Sequence, residues 1–209
     1  MSDWLVSLRM PEDCHVSVWS GGSTTELAIF PPDAIYAERN FQWRLSSATV
    51  EVERSVFTRL PGVRRWLMPL NGTVELHHGG NQPVRVRSYE SDVFDGGEDT
   101  VSTGCCRDFN LMTRCGCEGN LGAVLCGPEA KRIVFLLAPG PVTEAFYAAD
   151  GEIEMQIDGE SRLLPRGALL LMRRNGEAGA APETAVSSAL PAHLVRATMR
   201  ENSERSVQR

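Results

Sequence analysis

Apolar residues recur at every second position in one short segment after another, and each segment stops at a turn signal. Phe41, Trp43 and Leu45 alternate with Gln42, Arg44 and Ser46; Val84 and Val86 alternate with Arg85 and Arg87. Ile153, Met155 and Ile157 alternate with Glu152, Glu154 and Gln156. Period two sends successive side chains to opposite faces, so each segment reads as a strand with one covered face. The continuous apolar runs at residues 133–138 and 169–172 read as strands covered on both faces. Between the segments stand Asn71-Gly72, Gly79-Gly80, Gly96-Gly97, Pro139-Gly140-Pro141, Asp150-Gly151, Asp158-Gly159 and Pro165-Arg166-Gly167, all turn formers. Many short strands with Gly/Pro turns indicate an all-β sandwich or barrel. Helix is expected only as a turn or two within residues 31–39, while residues 182–190 stay undecided. The polar residues 201–209 are expected to be a disordered tail.

The chain also repeats itself. Gly72-Thr73-Val74-Glu75-Leu76 matches Gly151-Glu152-Ile153-Glu154-Met155, 79 residues further on. Each copy follows a turn residue, Asn71 or Asp150, and each runs on to another glycine turn, Gly79 or Gly159. Two tandem β-barrels would give this pattern. The expected division is 1–115, 116–200 and the tail 201–209.

Composition narrows the function. Among 209 residues, 27 are acidic and 21 basic, a net charge of −6. A nucleic-acid binder normally carries a basic surplus, and a polybasic membrane anchor needs one too. No apolar run is long enough to span a membrane, and the N-terminus has acids where a signal peptide needs a basic start, so a cytoplasmic protein is expected. All the basic residues but Lys131 are arginine, and the first explanation of that excess is codon bias. The six cysteines contain no CxxC pair and read as reduced, small buried hydrophobes.

Glu144-x6-Gly151 has the spacing that ends the first motif of the cupin superfamily. Moving back 79 residues replaces Glu144 by Arg65 and keeps the spacing, Arg65-x6-Gly72. Metal-binding cupins also place a His-x-His pair shortly before the glutamate. Neither residues 58–61 nor residues 137–140 supply one, so no metal and no cofactor is expected. A more specific resemblance is carried by Trp19-Ser20-Gly21-Gly22-Ser23-Thr24-Thr25-Glu26, Phe41-x-Trp43-Arg44-Leu45-Ser46-x-Ala48, Pro61-Gly62-x-x-Arg65, Phe94-Asp95-Gly96 and Asp108-Phe109-Asn110-Leu111-Met112. In order and interval these residues resemble the HutD/Ves family of two-cupin proteins. Thr25 and Cys115 depart from it, standing where the family often has basic residues. The resemblance implies an all-β bicupin linked to bacterial histidine utilisation. It also implies a small acidic ligand, such as urocanate or formylglutamate.

The candidate site residues are Arg65, Arg44, Ser46, Thr24, Glu26, Asp108 and Asn110. Arginine at a cupin metal-carboxylate position reverses the sign of the site. A buried guanidinium needs an anion, and its planar fork suits a carboxylate. That anion is either an organic-acid ligand or an internal partner among Glu26, Asp95 and Asp108. Arg44 and Ser46 share the polar face of their strand, which either lines the cavity or meets water. Residues 21–26 form a glycine turn that either presents amides to an anion or closes on itself. Asp108 and Asn110 face one way across Phe109. They are either a polar cavity wall, with Asp108 orienting an arginine and Asn110 reading a ligand, or an edge turn. His77-His78 reads as a solvated hairpin end, since adjacent strand residues diverge, and Arg173-Arg174 as a surface turn. No Ser/His/Asp set, activated cysteine or phosphate loop is found.

The leading expectation is a metal-free, regulatory protein that binds a small organic acid, without nucleic-acid or membrane partners and compatible with a homodimer. The alternatives are a cupin isomerase or hydrolase using Glu26 or Asp108 as base, and a stress-related structural protein whose cavity is packed shut by Trp43, Trp66 and Phe109.

Overall fold

The alternation of the sequence becomes 19 strands in the computed structural model, which describes residues 4–135, 139–176 and 180–202. β1 (Trp4–Arg9) leads through a 3-10 turn at Pro11–Asp13 to β2 (His15–Trp19) and β3 (Gly22–Phe30). A second 3-10 turn, Tyr36–Glu38, precedes β4 (Trp43–Val50), β5 (Arg54–Val56), β6 (Val63–Pro69) and β7 (Thr73–His78). Then come β8 (Val84–Arg87), β9 (Asp92–Asp95), β10 (Thr100–Thr103) and β11 (Cys106–Arg114). β12 (Cys117–Cys126) is followed by β13 (Lys131–Ile133), β14 (Val142–Ala148), β15 (Ile153–Ile157) and β16 (Glu160–Leu164). β17 (Leu169–Arg174), β18 (Thr184–Ser187) and β19 (Ala192–Glu201) complete the series.

Two units divide the chain, Cys14–Gly122 and the combination of Met1–Asp13 with Ala123–Arg209. The first holds a six-stranded sheet, ordered β2-β3-β4-β11-β6-β9, and a four-stranded sheet, β5-β10-β7-β8. The second holds a five-stranded sheet, β1-β17-β14-β19-β12, whose last strand crosses the boundary after Gly122, and a four-stranded sheet, β13-β18-β15-β16. The internal repeat is complete at the level of topology. β4 to β11 and β12 to β19 occupy the same places in the same order, each strand matching the one eight further on. The pentapeptide repeat lies on β7 and β15, which are therefore equivalent strands. The division differs from the expected break at residue 115: β1 pairs with β17 and so belongs with the second unit, not with the first.

Strand phase decides what is buried. In β15, Ile153, Met155 and Ile157 are buried while Glu154 and Gln156 are exposed. In β7, Val74, Leu76 and His78 are buried in the same way. His78 is thus no solvated hairpin end. It is in phase with two core residues, and its ring nitrogens meet Asp92 Oδ2 at 2.8 Å and Thr100 Oγ1 at 3.0 Å. Arg173-Arg174 is not a surface turn either. It ends β17, with Arg174 fully buried and Arg173 paired to Glu201 at 2.6 Å. Cys106, Cys117 and Cys126 are buried as expected, whereas Cys105 and Cys115 are exposed and Cys14 is half-buried. Residues 182–190 resolve into β18, and Glu201 closes β19. Residues 136–138 of the expected apolar strand, and 203–209 of the expected tail, lie outside the described residues.

The glycine turn before β3 has a steric explanation. Gly22 has φ +148°, and a Cβ there would stand 1.9 Å from the Thr49 carbonyl oxygen; one on Gly21 would stand 2.2 Å from the Trp19 ring. The glycines let the chain enter β3 close against β4. Gly22→Ala is therefore expected to cost roughly 2–4 kcal/mol in urea denaturation. Gly122→Ala, where a Cβ would meet nothing within 4 Å, is expected to cost less than about 1 kcal/mol.

Candidate functional site

Strand register in the first unit places all seven candidate residues together. On β4 and β11, Arg44 stands opposite Met112, Ser46 opposite Asn110, and Ala48 opposite Asp108. On β6, Arg65 continues the first row beyond Met112, and Leu67 continues the second beyond Asn110. On β3, Glu26 extends the second row beyond Ser46, and Thr24 extends the third beyond Ala48. Residues in register share a face, so the sheet offers one polar patch with Asn110 at its centre. The patch lines a cavity of about 340 Å³, whose other walls include Tyr36, Ser55, Phe57 and Thr58. Glu26 is not part of the cavity lining and reaches it only through its pair with Arg44. Trp43, Trp66 and Phe109 alternate onto the opposite face and are absent from the cavity lining, so they do not pack it shut. β11 lies between β4 and β6, which makes Asp108 and Asn110 part of a central strand and not an edge turn.

The two arginines differ in how their charge is met. Arg44 Nε donates to Glu26 Oε2 at 2.7 Å and Nη1 to Ser46 Oγ at 3.2 Å, while the guanidinium lies 4.1 Å from the Tyr36 ring centre. Arg65 is 8% exposed and forms no ion pair among the described residues. Its Nε is buried without a hydrogen-bond partner. Its guanidinium rests between aromatic faces, 4.7 Å from Phe57 and 5.3 Å from Phe94. Burial lowers the Arg65 pKa; nearby Tyr36 and Asp108 oppose that shift, and Arg44 adds to it. The internal partners considered for Arg65 are occupied elsewhere. Glu26 holds Arg44, Asp95 Oδ1 accepts from Gly97 N at 2.7 Å, and Asp108 serves its own strand pair.

Asp108 Oδ1 accepts from Ala48 N at 3.1 Å and from Asn110 Nδ2 at 2.6 Å. Asp108 thus orients Asn110 and not an arginine, a correction to the expected role. Asn110 Oδ1 is left buried with no partner. Burial pushes the Asp108 carboxyl up to about 7, against the lowering effects of the Ala48 amide, Arg65 and Asn110. Burial likewise raises the Cys106 thiol to about 12, which leaves it protonated and unreactive.

Several side chains of the site carried no readable signal. Tyr36 comes from an irregular turn and Phe57 from the short link after β5, so no periodicity marks either. Phe94 and Gly96 were visible only within a family motif. The structure explains them: Phe94 lies under the guanidinium, and Gly96 leaves room for the Arg65 stem, whose Cδ would be 3.2 Å from an added Cβ.

The second unit treats the equivalent position oppositely. Glu144 on β14 corresponds to Arg65 on β6, and it is 1% exposed. Its Oε2 accepts from Arg196 Nε at 2.9 Å and from Thr198 Oγ1 at 2.8 Å. That carboxylate is satisfied within its own barrel. Among the described residues no three His, Cys, Asp or Glu side chains cluster as metal ligands. A cation does not fit the Arg65 cavity, because a guanidinium stands where a cupin carboxylate would bind it. No described helix is long and apolar enough to cross a membrane.

The HutD family model matches residues 11–188. The chain belongs to the HutD family. By the family's name, membership links this HutD protein to histidine utilisation. No curated protein matches the chain. Among solved structures, HutD from Pseudomonas fluorescens SBW25 is 25% identical over 94% of this chain and 100% of its own, with a TM-score of 0.69. A conserved protein of unknown function from Pseudomonas aeruginosa PAO1 is 22% identical, covers the same shares and has a TM-score of 0.78. Oxalate decarboxylase of Bacillus subtilis, a protein with Mn(II) centres, is 9% identical over 95% of this chain and 78% of its own, at a TM-score of 0.58. That last likeness is one of fold, and it agrees with the two-cupin architecture of this HutD protein.

Three variants test the electrostatics through stability. In the unfolded chain Asp108 ionises in the ordinary aspartate range, while in the folded protein it holds its proton up to about pH 7. Between those values the folded state binds the extra proton, so Asp108 lowers stability as pH rises, by up to about 1.4 kcal/mol per pH unit. Asp108→Asn is expected to gain on wild type from pH 5 to pH 7 and to keep a constant lead above pH 8; urea titrations at each pH will show it. Arg196→Leu strands the buried Glu144 carboxylate and is expected to cost about 3–5 kcal/mol. Arg65→Leu removes a charge that has no internal counterion, and is expected to leave stability unchanged or higher.

Proposed function

We propose that this HutD protein is a metal-free binding protein for a small organic acid, acting in a regulatory capacity in histidine utilisation. The observation that carries the reading is Arg65: buried, unpaired among the described residues, and set in the wall of an open cavity. A folded protein does not keep an uncompensated buried charge without a use for it. A carboxylate entering the cavity supplies the missing counterion, and a guanidinium can hold its two oxygens by parallel hydrogen bonds. Arg44 is already neutralised by Glu26, so the cavity offers one free positive charge and suits one carboxylate in contact with it. The acids suggested by the family link, urocanate and formylglutamate, both meet that requirement. The second unit satisfies its own Glu144, so one ligand is expected per chain. A cytoplasmic location, as the sequence leads one to expect, is part of the same proposal.

Isothermal titration with urocanate, formylglutamate and simple dicarboxylates tests the reading. Wild type is expected to bind at least one of them at a stoichiometry near one. Arg65→Leu is expected to lose about 10- to 100-fold in affinity, the worth of a charge-assisted pair. Equal binding by both proteins, or no binding by wild type, would overturn the assignment.

A further inference from the structure

The cavity holds a second unmet group besides Arg65. Asn110 is 6% exposed, it lines the cavity, and its Oδ1 is buried without a partner. The orientation of that amide is fixed by its surroundings. Asp108 Oδ1 already accepts the Ala48 backbone N–H, so the Asn110 atom 2.6 Å away from it must be the donor, Nδ2. The carbonyl end is thereby turned away from Asp108. A flipped amide would set two acceptors against each other. This requires that any proton on Asp108 sit on Oδ2, which the Ala48 amide favours by using Oδ1 as its acceptor.

A buried acceptor left unpaired loses the hydrogen bond it would have made to water, and such groups in folded proteins call for an explanation. Here the explanation sits on the same face. Arg65 pairs with Met112, and Leu67 pairs with Asn110, so Arg65 and Asn110 are diagonal neighbours on adjacent strands, about 7–8 Å apart at Cα. One molecule of modest size reaches both. Resting on the proposed binding of an organic acid, we infer that the ligand carries, besides the carboxylate for Arg65, an N–H or O–H donor that Asn110 Oδ1 accepts. Asn110 is then the residue that sets specificity, and Asp108 is a positioning residue that acts through it. The ligand class is a carboxylic acid with a second, hydrogen-bond-donating group a few bonds away, such as an amide N–H or an azole N–H. Acids of the same shape that lack the donor are rejected, because they bury the Asn110 carbonyl without a partner.

The test compares probes matched in shape. Urocanate is set against 3-(3-furyl)acrylate, whose ring oxygen replaces the N–H. N-Formylglutamate is set against O-formyl-2-hydroxyglutarate, whose ester oxygen replaces the amide N–H. Affinities are measured by titration calorimetry for wild type, Asn110→Leu, Asp108→Ala and Arg65→Leu, each first checked for an intact melting transition. The expected result is that wild type prefers the donor-bearing member of whichever pair binds by tenfold or more. That preference should vanish in Asn110→Leu and shrink in Asp108→Ala, where the amide is free to flip, while both members lose affinity together in Arg65→Leu. If wild type binds both members equally and Arg65→Leu still weakens both, the carboxylate site stands and the role of Asn110 falls, its carbonyl then being served by a water. If no probe binds wild type, both readings fall. Because wild type alone decides the preference, a variant that fails to fold does not shield the inference.

Discussion

A buried arginine with no ion pair among the described residues stands on the first barrel's polar face. Arg65 is buried, and the surroundings that make this tolerable are built around it. Phe57 and Phe94 face its charge with their rings, an interaction worth about 2 kcal/mol once water is excluded. Gly96 keeps clear of its stem, and Glu26 is held by Arg44 and does not collapse onto it. None of these contacts neutralises the guanidinium. They hold it in place without pairing its charge, an arrangement that fits the anion site proposed above.

The second barrel shows the same architecture with its equivalent charge paired internally. Strand for strand it follows the first, yet the position of Arg65 carries Glu144, and that carboxylate meets Arg196 and Thr198 on the neighbouring strand. Those two residues lie across from β14 where Asn110 and Met112 lie across from β6. The contrast is a change of sign combined with a change of partner. At this position one barrel pairs its charge internally, and the other carries a guanidinium with no ion pair among the described residues. The two barrels differ at three such positions, Arg65 against Glu144, Asn110 against Arg196 and Met112 against Thr198.

Much of this was legible in the sequence, for physical reasons. Period two and turn residues specify strands wherever one face is covered, and the repeated pentapeptide lies on equivalent strands β7 and β15. The seven candidate residues could be grouped because family motifs and strand phase together put them on one face, and the strand register agrees. What remained hidden depended on partners distant in the chain. Composition suggested that the Arg44 face would meet water, since polar faces usually do; a central strand with a cavity on that side reverses the rule. His78 was misjudged as solvated although its phase with Val74 and Leu76 was available, because a histidine pair reads as polar before it reads as periodic. The boundary between the units was misplaced because β1 pairs with a strand more than 150 residues away, and nothing local announces it.

The assignment of roles within the cavity follows from counting lone pairs and protons, and it is here that structure adds most to sequence. Asp108 looked like the natural counterion for an arginine. Its Oδ1 is instead taken by a backbone amide and by Asn110, and its carboxyl is raised to about 7. A carboxyl so placed is a weak counterion near neutral pH, since much of it is protonated. The free charge of Arg65 and the fixed amide of Asn110 are thus consequences of one arrangement. Asp108 Oδ1 binds the Ala48 amide and Asn110, which aims the Asn110 carbonyl, and no ion pair joins Asp108 to Arg65 among the described residues. A ligand that answers both completes a network that the protein alone leaves two partners short.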